Sequence, residues 1–478
     1  MPSEQNSEVK ANVAALIVKA RAAQLIYQRY DQEQVDEVVT AVGWTIINSK
    51  NNHLLTEMAI KDTGIGKYED KIRKNNRKTL GLLRDLKGTK SVGVIAEYPE
   101  KGLIEIARPV GVVGAIVPST NPVATPFNKI LNALKGRNAI ILAPSPKGQK
   151  VCAKLVELIH AELQRVGAPT DLVQHLPLPI NKAESYELMR QVDLIVATGS
   201  ANNVRACYES GTPAVGVGAG NVPVIVDDSA DLSDAAAKIA ASKTFDNATS
   251  CSSENSLVIV DSVYDDMLAA LHQQGGRLLN PQEKDQLQSS LWVDGHLSRE
   301  LIAQTASRIC EITGLARDGL EDAGFLMVEE TGIGPDYPYS DEKLSPVLTI
   351  YRAADFDHAF QIVSRILDYK GKGHSVGIHT DNDEHIMRLG LEMDTCRVIV
   401  NQAHCFATGG SFDNGLPFSL SMGCGSWGGN SIPDNMNYRH FLNTTRIART
   451  IPKNEPSKAD IFGEFWHKYG LDVMSSSE

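Results

Sequence analysis

Apolar residues recur at helical spacing from Val9 to about Lys87, as in NVAALIVKARAAQLIYQRY (Asn12 to Tyr30), so the chain is expected to open with a helical lobe. Within it the charged run KYEDKIRKNNRK (Lys67 to Lys78) reads as a solvated helix face in preference to a phosphate-holding strip. At Lys90 the period shortens to two. In KSVGVIAEYPEKGLIEIARPVGVVGAIVPSTNP, Val, Ile and Gly alternate about the turn Tyr98-Pro99-Glu100-Lys101-Gly102, which predicts a hairpin over 91–107 and then a buried strand.

Strands and helices alternate beyond this point. NAIILAP (Asn138 to Pro144) and DLIVATGS (Asp193 to Ser200) read as buried strands, with the amphipathic helix GQKVCAKLVELIHAELQRVG (Gly148 to Gly167) between them. This rhythm predicts a doubly wound α/β sheet, mostly parallel, with its ligand crevice at the carboxyl ends of the strands. VPVIVDD (Val222 to Asp228) is expected to add one more strand to it. A second α/β run follows, through SLVIVDS (Ser256), PVLTIYR (Pro346) and CRVIVNQ (Cys396), and MGCGSWGGN (Met422 to Asn430) is too rich in glycine for anything but a loop. The expected division is residues 1–245 for the helical region and cofactor lobe, 246–430 for a catalytic lobe, and 431–478 for a C-terminal segment whose KADIFGEFWHKYGL forms a short amphipathic helix.

Composition narrows the function without naming it. The chain has 478 residues, 42% of them hydrophobic and 22% charged, enough for two or three packed lobes. A net charge of −11 argues against a nucleic-acid partner. The first twenty residues lack a cationic start with an apolar core, and no run of about 18 apolar residues occurs, so a cytoplasmic protein without a membrane partner is expected. Seven cysteines without CxxC pairing suggest reduced thiols, with neither a disulfide framework nor a metal site.

One thiol stands apart. Cys251 lies in TFDNATSCSSENSLVIV, a polar run at the junction of the two lobes, and is the candidate nucleophile; Cys424, between glycines, is its rival. A Cys/His hydrolase using His404 as base is the weaker reading, because closeness in sequence says nothing of contact. Thr198, Gly199 and Ser200 follow a strand and open a helix, so their backbone can face a pyrophosphate; Gly218, in GVGAGN, belongs to a second glycine turn.

The order of these motifs resembles the aldehyde dehydrogenase superfamily: RPVGVVGAIVPSTNP, ALKGRNAIILAPSPKG, VATGS, VGVGAGNVPVIV, the cysteine segment and DEKLSPVL. CGSWGGNSIPDN and PSTNP are similar to the CoA-acylating branch, and NQAHCFATGGSFDNGLPFSLSMGCGSWGGN to its members acting on sulfoacetaldehyde. The resemblance implies an aldehyde dehydrogenase-like fold of two α/β lobes with parallel-rich sheets, plus an oligomerisation arm made of the hairpin and the C-terminal segment, hence a homo-oligomer. It implies that Cys251 attacks the aldehyde and carries the acyl group as a thioester. Asn121 would donate to the oxyanion, although a gapless match sets Thr120 there. Glu342 would hold the nicotinamide-side ribose, with Ser119, Thr120, Ser145 and Lys147 along the cofactor. Hydrolytic members carry a water-activating Glu where this chain has Val217, so coenzyme A is the expected acyl acceptor. The family's Lys-x-x-Glu ribose grip is replaced by Ala143 and Pro146, followed by Lys147, which favours NADP over NAD. An anionic sulfonate needs donors, for which Arg205, His404 and Asn414 are the candidates. Acetaldehyde or another short aldehyde is the alternative substrate, and a cofactor-binding protein without turnover is the alternative of another class.

Overall fold

The computed structural model describes residues 2–218 and 220–471. Four helices come first, Pro2–Tyr27, Gln32–Ile47, Ser49–Thr63 and Tyr68–Leu86. Local signals set their ends: Asp31 and Gln34 form a reciprocal capping box at the second, and Gly64, at φ 73°, closes the third in the left-handed region. Val35, Val38, Val39, Val42 and Ile46 are buried on one face of the second helix, as the helical period demands. That face joins the five-stranded sheet in one continuous core, with Ile116, Ile141, Leu142 and Val196.

The five-stranded sheet is parallel throughout. Its order in space is Val173–His175, Ala139–Pro144, Val112–Val117, Leu194–Thr198 and Ala214–Val217. The chain builds outward from Val112–Val117 on one side and then returns to its other side, so the topological switch falls between that strand and Leu194–Thr198. Lys129, fully buried, reaches both from below and donates to the carbonyls of Ile116 (2.8 Å) and Val196 (3.0 Å).

A second parallel sheet has seven strands in the order Gly276–Leu278, Phe325–Glu329, Val347–Ala353, Glu254–Val260, Val222–Val226, Val376–His379 and Val398–Val400. Separate apolar clusters cover its two faces, one around Ile259, Met267 and Leu348 and the other around Val258, Val363 and Ile378. The expected lobe boundary at residue 245 is therefore corrected. Val222–Val226 pairs with Glu254–Val260 and Val376–His379, and the helix Leu232–Thr244 packs in the same core, so the second lobe begins near Asn221. The sequence pattern of a buried strand is the same in either sheet, and only its pairing partner decides.

Gly93–Tyr98 and Leu103–Pro109 form the expected hairpin, and Leu442–Ala448 from the far end of the chain pairs antiparallel with its second strand. The helix Lys458–Tyr469 follows and buries none of its residues. Among the described residues no helix is long and apolar enough to cross a membrane.

Candidate active site

Cys251 sits between the two sheets, at the end of a loop that joins the helix Leu232–Thr244 to the strand Glu254–Val260. Three successive residues before it, Asp246, Asn247 and Ala248, have φ of 49°, 53° and 56°. Such conformations cost on the order of 1–3 kcal/mol each outside glycine, so the surroundings must hold them. They do so through a clamp. The buried Asp246 carboxylate accepts from the Lys67 backbone N–H (2.8 Å), Lys71 Nζ (3.1 Å), Lys74 Nζ (2.5 Å) and Thr249 Oγ1 (2.8 Å). Asn247 Nδ2 donates to the Ala303 carbonyl at 2.9 Å.

This corrects the reading of Lys67 to Lys78 as a solvated face. On the helix Tyr68–Leu86 the residues Lys71, Lys74, Asn75 and Lys78 are buried, and the helix lies with its basic side against the cysteine loop. Lys74 also donates to Asn121 Oδ1 at 2.8 Å. With Oδ1 engaged, the Asn121 Nδ2 protons remain as donors at a cavity that Asn121 shares with Ser250, the neighbour of the nucleophile. Thr120 lies half-buried in the same turn without that tie.

The Cys251 thiol opens into a narrow cavity lined by Asn221, Lys243, Ser253, Asn255 and Glu342. Burial, then the nearby Glu342 carboxylate and Cys424, push the thiol up to about 12, so it rests protonated. His374 Nε2 lies 3.7 Å from Sγ. Burial and the adjacent Arg397 hold that imidazole down at about 3, neutral at any working pH. Arg397 fixes it by donating to the carbonyls of His374 (2.6 Å) and Gly423 (2.6 Å), which joins the histidine segment to the glycine-rich loop. Two glycines permit this approach: a Cβ on Gly373 would lie 2.0 Å from the Cys424 carbonyl oxygen, and one on Gly220 2.2 Å from that of Cys251. Sequence reasoning passed over His374, Lys74 and Arg397; the run Gly371-Lys372-Gly373-His374, glycines flanking a histidine before a strand, was the available signal.

Ser119 and Thr120, Ser145 and Lys147, Thr198 to Ser200, and Gly218 all follow carboxyl ends of strands in the five-stranded sheet. In a sheet of this order the ligand crevice is expected at these ends, beside the switch point. Ser200 caps the helix Ala201–Glu209, accepting from the Asn203 backbone N–H, and Thr198 shares a 2.7 Å hydrogen bond with Ser421. Lys147 is exposed, and a Cβ on Gly218 would meet nothing within 4 Å, so both are open to a ligand. Glu342 is held by its neighbours: Asn255 Nδ2 donates to the Asp341 carbonyl (2.6 Å) and Asn255 Oδ1 accepts from the Lys343 backbone N–H (3.2 Å). Glu342 Oε1 is covered and has no hydrogen-bond partner among the described residues, and burial pushes the carboxyl up to about 8. A ribose hydroxyl supplies the kind of donor this atom lacks, so the residues present fit a pyridine nucleotide.

The three substrate candidates are not brought together. Arg205 is exposed on its helix and lines neither cavity. His404 is a packed core residue: its backbone N–H donates to Glu254 Oε1 (2.9 Å) and its Nδ1 meets the Ser252 carbonyl (3.0 Å). Asn414 spends both ends of its amide on Ser411, Leu416, Gln402 and Ala407, shaping a turn. Cys424, the rival thiol, is 4% exposed and pushed up to about 11, and it packs beneath the glycine loop. Among the described residues no cluster of three His, Cys, Asp or Glu could hold a metal ion.

Strand ends suited to a nucleotide in one parallel sheet and a thiol just before a strand of the other are the arrangement expected of a dehydrogenase with a nucleophilic cysteine. The chain belongs to the aldehyde dehydrogenase family, whose sequence profile matches residues 4–318. It is 57% identical over 470 residues to the acylating sulfoacetaldehyde dehydrogenase of Cupriavidus necator, covering 98% of this chain and 95% of that one. Identity is 43% to an enzyme of the same name from Bilophila wadsworthia, over 94% and 98% of the two chains. The crystal structure of an acetylating aldehyde dehydrogenase from Geobacillus thermoglucosidasius superposes with a TM-score of 0.90 at 34% identity, over 95% of this chain and 99% of that one.

Proposed function

We propose that the protein oxidises sulfoacetaldehyde with NADP⁺ and coenzyme A to sulfoacetyl-CoA, NADPH and a proton, reversibly, through a thioester on Cys251. The 57% identity to the Cupriavidus necator enzyme, spread over almost the whole of both chains, carries the reading.

The residues divide the work as follows. His374, neutral and 3.7 Å from the thiol, accepts its proton as sulfur adds to the carbonyl carbon. Asn121 Nδ2, oriented by Lys74, and the Cys251 backbone N–H donate to the oxyanion; each such donor is worth on the order of 3 kcal/mol. When bound, NADP⁺ supplies the acceptor for the aldehyde hydride, and Glu342 with the crevice residues Ser119, Thr120, Ser145, Lys147, Thr198, Gly199, Ser200 and Gly218 would hold it. Collapse of the oxyanion leaves the acyl group on Cys251.

Release then depends on the nucleophile available. Val217, at the position of the hydrolytic base, is buried in its strand and offers no proton acceptor. Glu342 is the one carboxylate among the residues lining the Cys251 cavity, and it is committed to the cofactor. The thiol of coenzyme A, itself a good nucleophile near neutral pH, needs no such base to take the acyl group. We place the enzyme in the cytoplasm as a homo-oligomer. Seven unpaired cysteines support the first, and the open edges of the three-stranded arm support the second.

The deciding experiment is NADPH formation by the purified protein with sulfoacetaldehyde, with and without coenzyme A, beside acetaldehyde and NAD⁺. A CoA-dependent signal favouring sulfoacetaldehyde is expected. Equal rates without coenzyme A would sink the acylating mechanism, and a signal confined to acetaldehyde would sink the substrate.

A further inference from the structure

A second cavity opens between the basic helix and the cysteine loop. Asn121 and Ser250 form its inner side, Phe245, Phe406 and Leu420 its apolar walls, and Lys74, Arg77 and Lys78 bring three cationic side chains to it.

The three cations are not equivalent. Lys74 is answered by Asp246 at 2.5 Å, and its other protons go to Asn121 and Thr249. Lys78 is buried and donates to the Gly409 carbonyl at 2.7 Å, with no carboxylate beside it. Arg77 donates from Nη2 to the Ser411 hydroxyl (2.8 Å) and the Phe406 carbonyl (3.3 Å), both neutral, and its Nη1 is covered and without a partner. Asp413, the acidic side chain nearest Arg77, is exposed and bonded to Ser411. Among the described residues, therefore, neither Arg77 nor Lys78 has a carboxylate in salt-bridge contact, Asp413 acting on Arg77 only from farther off, and both face a partly apolar cavity that favours the entry of an anion. Burial accordingly pushes Lys78 down to about 7, with Arg77 adding to the shift. The guanidinium plane is fixed by the rings of Phe406 (5.3 Å), Phe412 (5.8 Å) and Phe418 (5.4 Å), so its fork is set before any ligand arrives.

We propose that Arg77, backed by Lys78, is the anion subsite that holds the sulfonate of the substrate and thereby sets specificity for a short anionic aldehyde. This rests on the aldehyde oxidation proposed above. The cavity brings both groups to the space that Asn121, the oxyanion donor, and Ser250, the neighbour of the nucleophile, also line, so it is the one that can take the charged end of a short substrate held by Cys251. Sulfonate oxygens stay ionised at any working pH and take the free Nη1–H together with the spare protons of Lys78.

Two measurements test it. Steady-state kinetics of parent, Arg77→Met and Arg77→Lys compare sulfoacetaldehyde with propanal. In Arg77→Met the ratio of kcat/KM for sulfoacetaldehyde to that for propanal is expected to fall about 10- to 100-fold, mainly through KM, and Arg77→Lys to recover part of it. A ratio within twofold of the parent's overturns the proposal. Independently, alkylation of Cys251 in the parent by iodoacetamide, read by mass spectrometry of its peptide, is followed with ethanesulfonate or uncharged dimethyl sulfone present. Protection by the sulfonate alone is expected; equal protection by both, or by neither, overturns the subsite even if Arg77→Met does not fold. The two readings fail separately. Ethanesulfonate protection in a parent that does not prefer sulfoacetaldehyde keeps the subsite and sinks the substrate assignment, whereas preference without protection does the reverse.

Discussion

A thiol resting at about 12 needs help at each turnover, and the help lies in one neighbour. His374 is the nearest ring nitrogen and is kept neutral by burial and Arg397, so it stays an acceptor across the working range. His374→Ala is expected to slow CoA-dependent turnover by about 10²- to 10⁴-fold while cofactor binding persists, as fluorescence titration with NADPH would read. Cys251→Ala should lose acyl-enzyme formation altogether, and intact-mass measurement after mixing with aldehyde and NADP⁺ checks it. Glu342 gives a pH test with a definite sign. Burial, with Asp341 adding, pushes its carboxyl up to about 8, whereas an unfolded chain holds the proton only to about pH 4.3. The folded state thus binds the proton more tightly, and the contribution is fully present below about pH 4.3 and lost as pH rises through 8. Glu342→Gln carries no such dependence. Melting curves without cofactor should therefore show the variant gaining on the parent between pH 5 and 8, and a gap that does not change with pH would contradict the assignment.

At the scale of elements, the clamp of the helix Tyr68–Leu86 on the cysteine loop is what the sequence concealed. The strands flanking the crevice were legible because runs such as NAIILAP are apolar at every position, and the thiol because it interrupts a polar run. The basic run was not legible, because KYEDKIRKNNRK looks the same whether water or a second lobe faces it. Only the docking of that helix turns Lys71 and Lys74 toward Asp246, a residue 172 positions beyond Lys74 in the chain. The same separation hid the sulfonate side of the pocket, since Arg77 meets Ser411 across 334 positions. Asp246→Ala would leave two lysines buried without their partner, and removing one member of a buried pair costs about 3–5 kcal/mol. Urea unfolding should show a loss of that order at pH 7. Lys71 is held down to about 8, chiefly by burial, so it can shed its proton, and the loss should be smaller at pH 9. The strained residues 246–248 lose the carboxylate side of their clamp in the same variant and keep the Asn247 tie to Ala303, which should also make Cys251 alkylate at a changed rate.

The whole molecule ends in surfaces that a single copy does not cover. The antiparallel arm has two open edges, Gly93–Tyr98 and Leu442–Ala448, and six of the seven residues in the second are exposed. A three-stranded ribbon lying on solvent is a poor structure alone and a ready template for another chain. The helix Lys458–Tyr469 points the same way: Ile461 (60% exposed), Phe462 (47%), Phe465 (52%) and Tyr469 (60%) recur at spacings of one, four and eight, which sets them along one side of the helix. Charged residues make a chain soluble alone; an aromatic stripe this dense instead asks for a partner. Since the strand Leu442–Ala448 is woven into the hairpin and the helix is not, the two can be separated. Deleting residues 456–478 should leave the circular-dichroism melting curve close to the parent's, while light scattering reports a smaller particle if the helix bridges copies. Replacing Leu442–Ala448 pairing by Thr445→Pro and Ile447→Pro should cost more: in register with Arg449, whose N–H donates to the Gly102 carbonyl, these two N–H groups face the hairpin, so each proline removes one from the ladder and the hairpin loses its third strand. A truncated chain that keeps the parent's oligomeric state would assign self-association to the arm alone and exclude the aromatic helix as the bridge between copies.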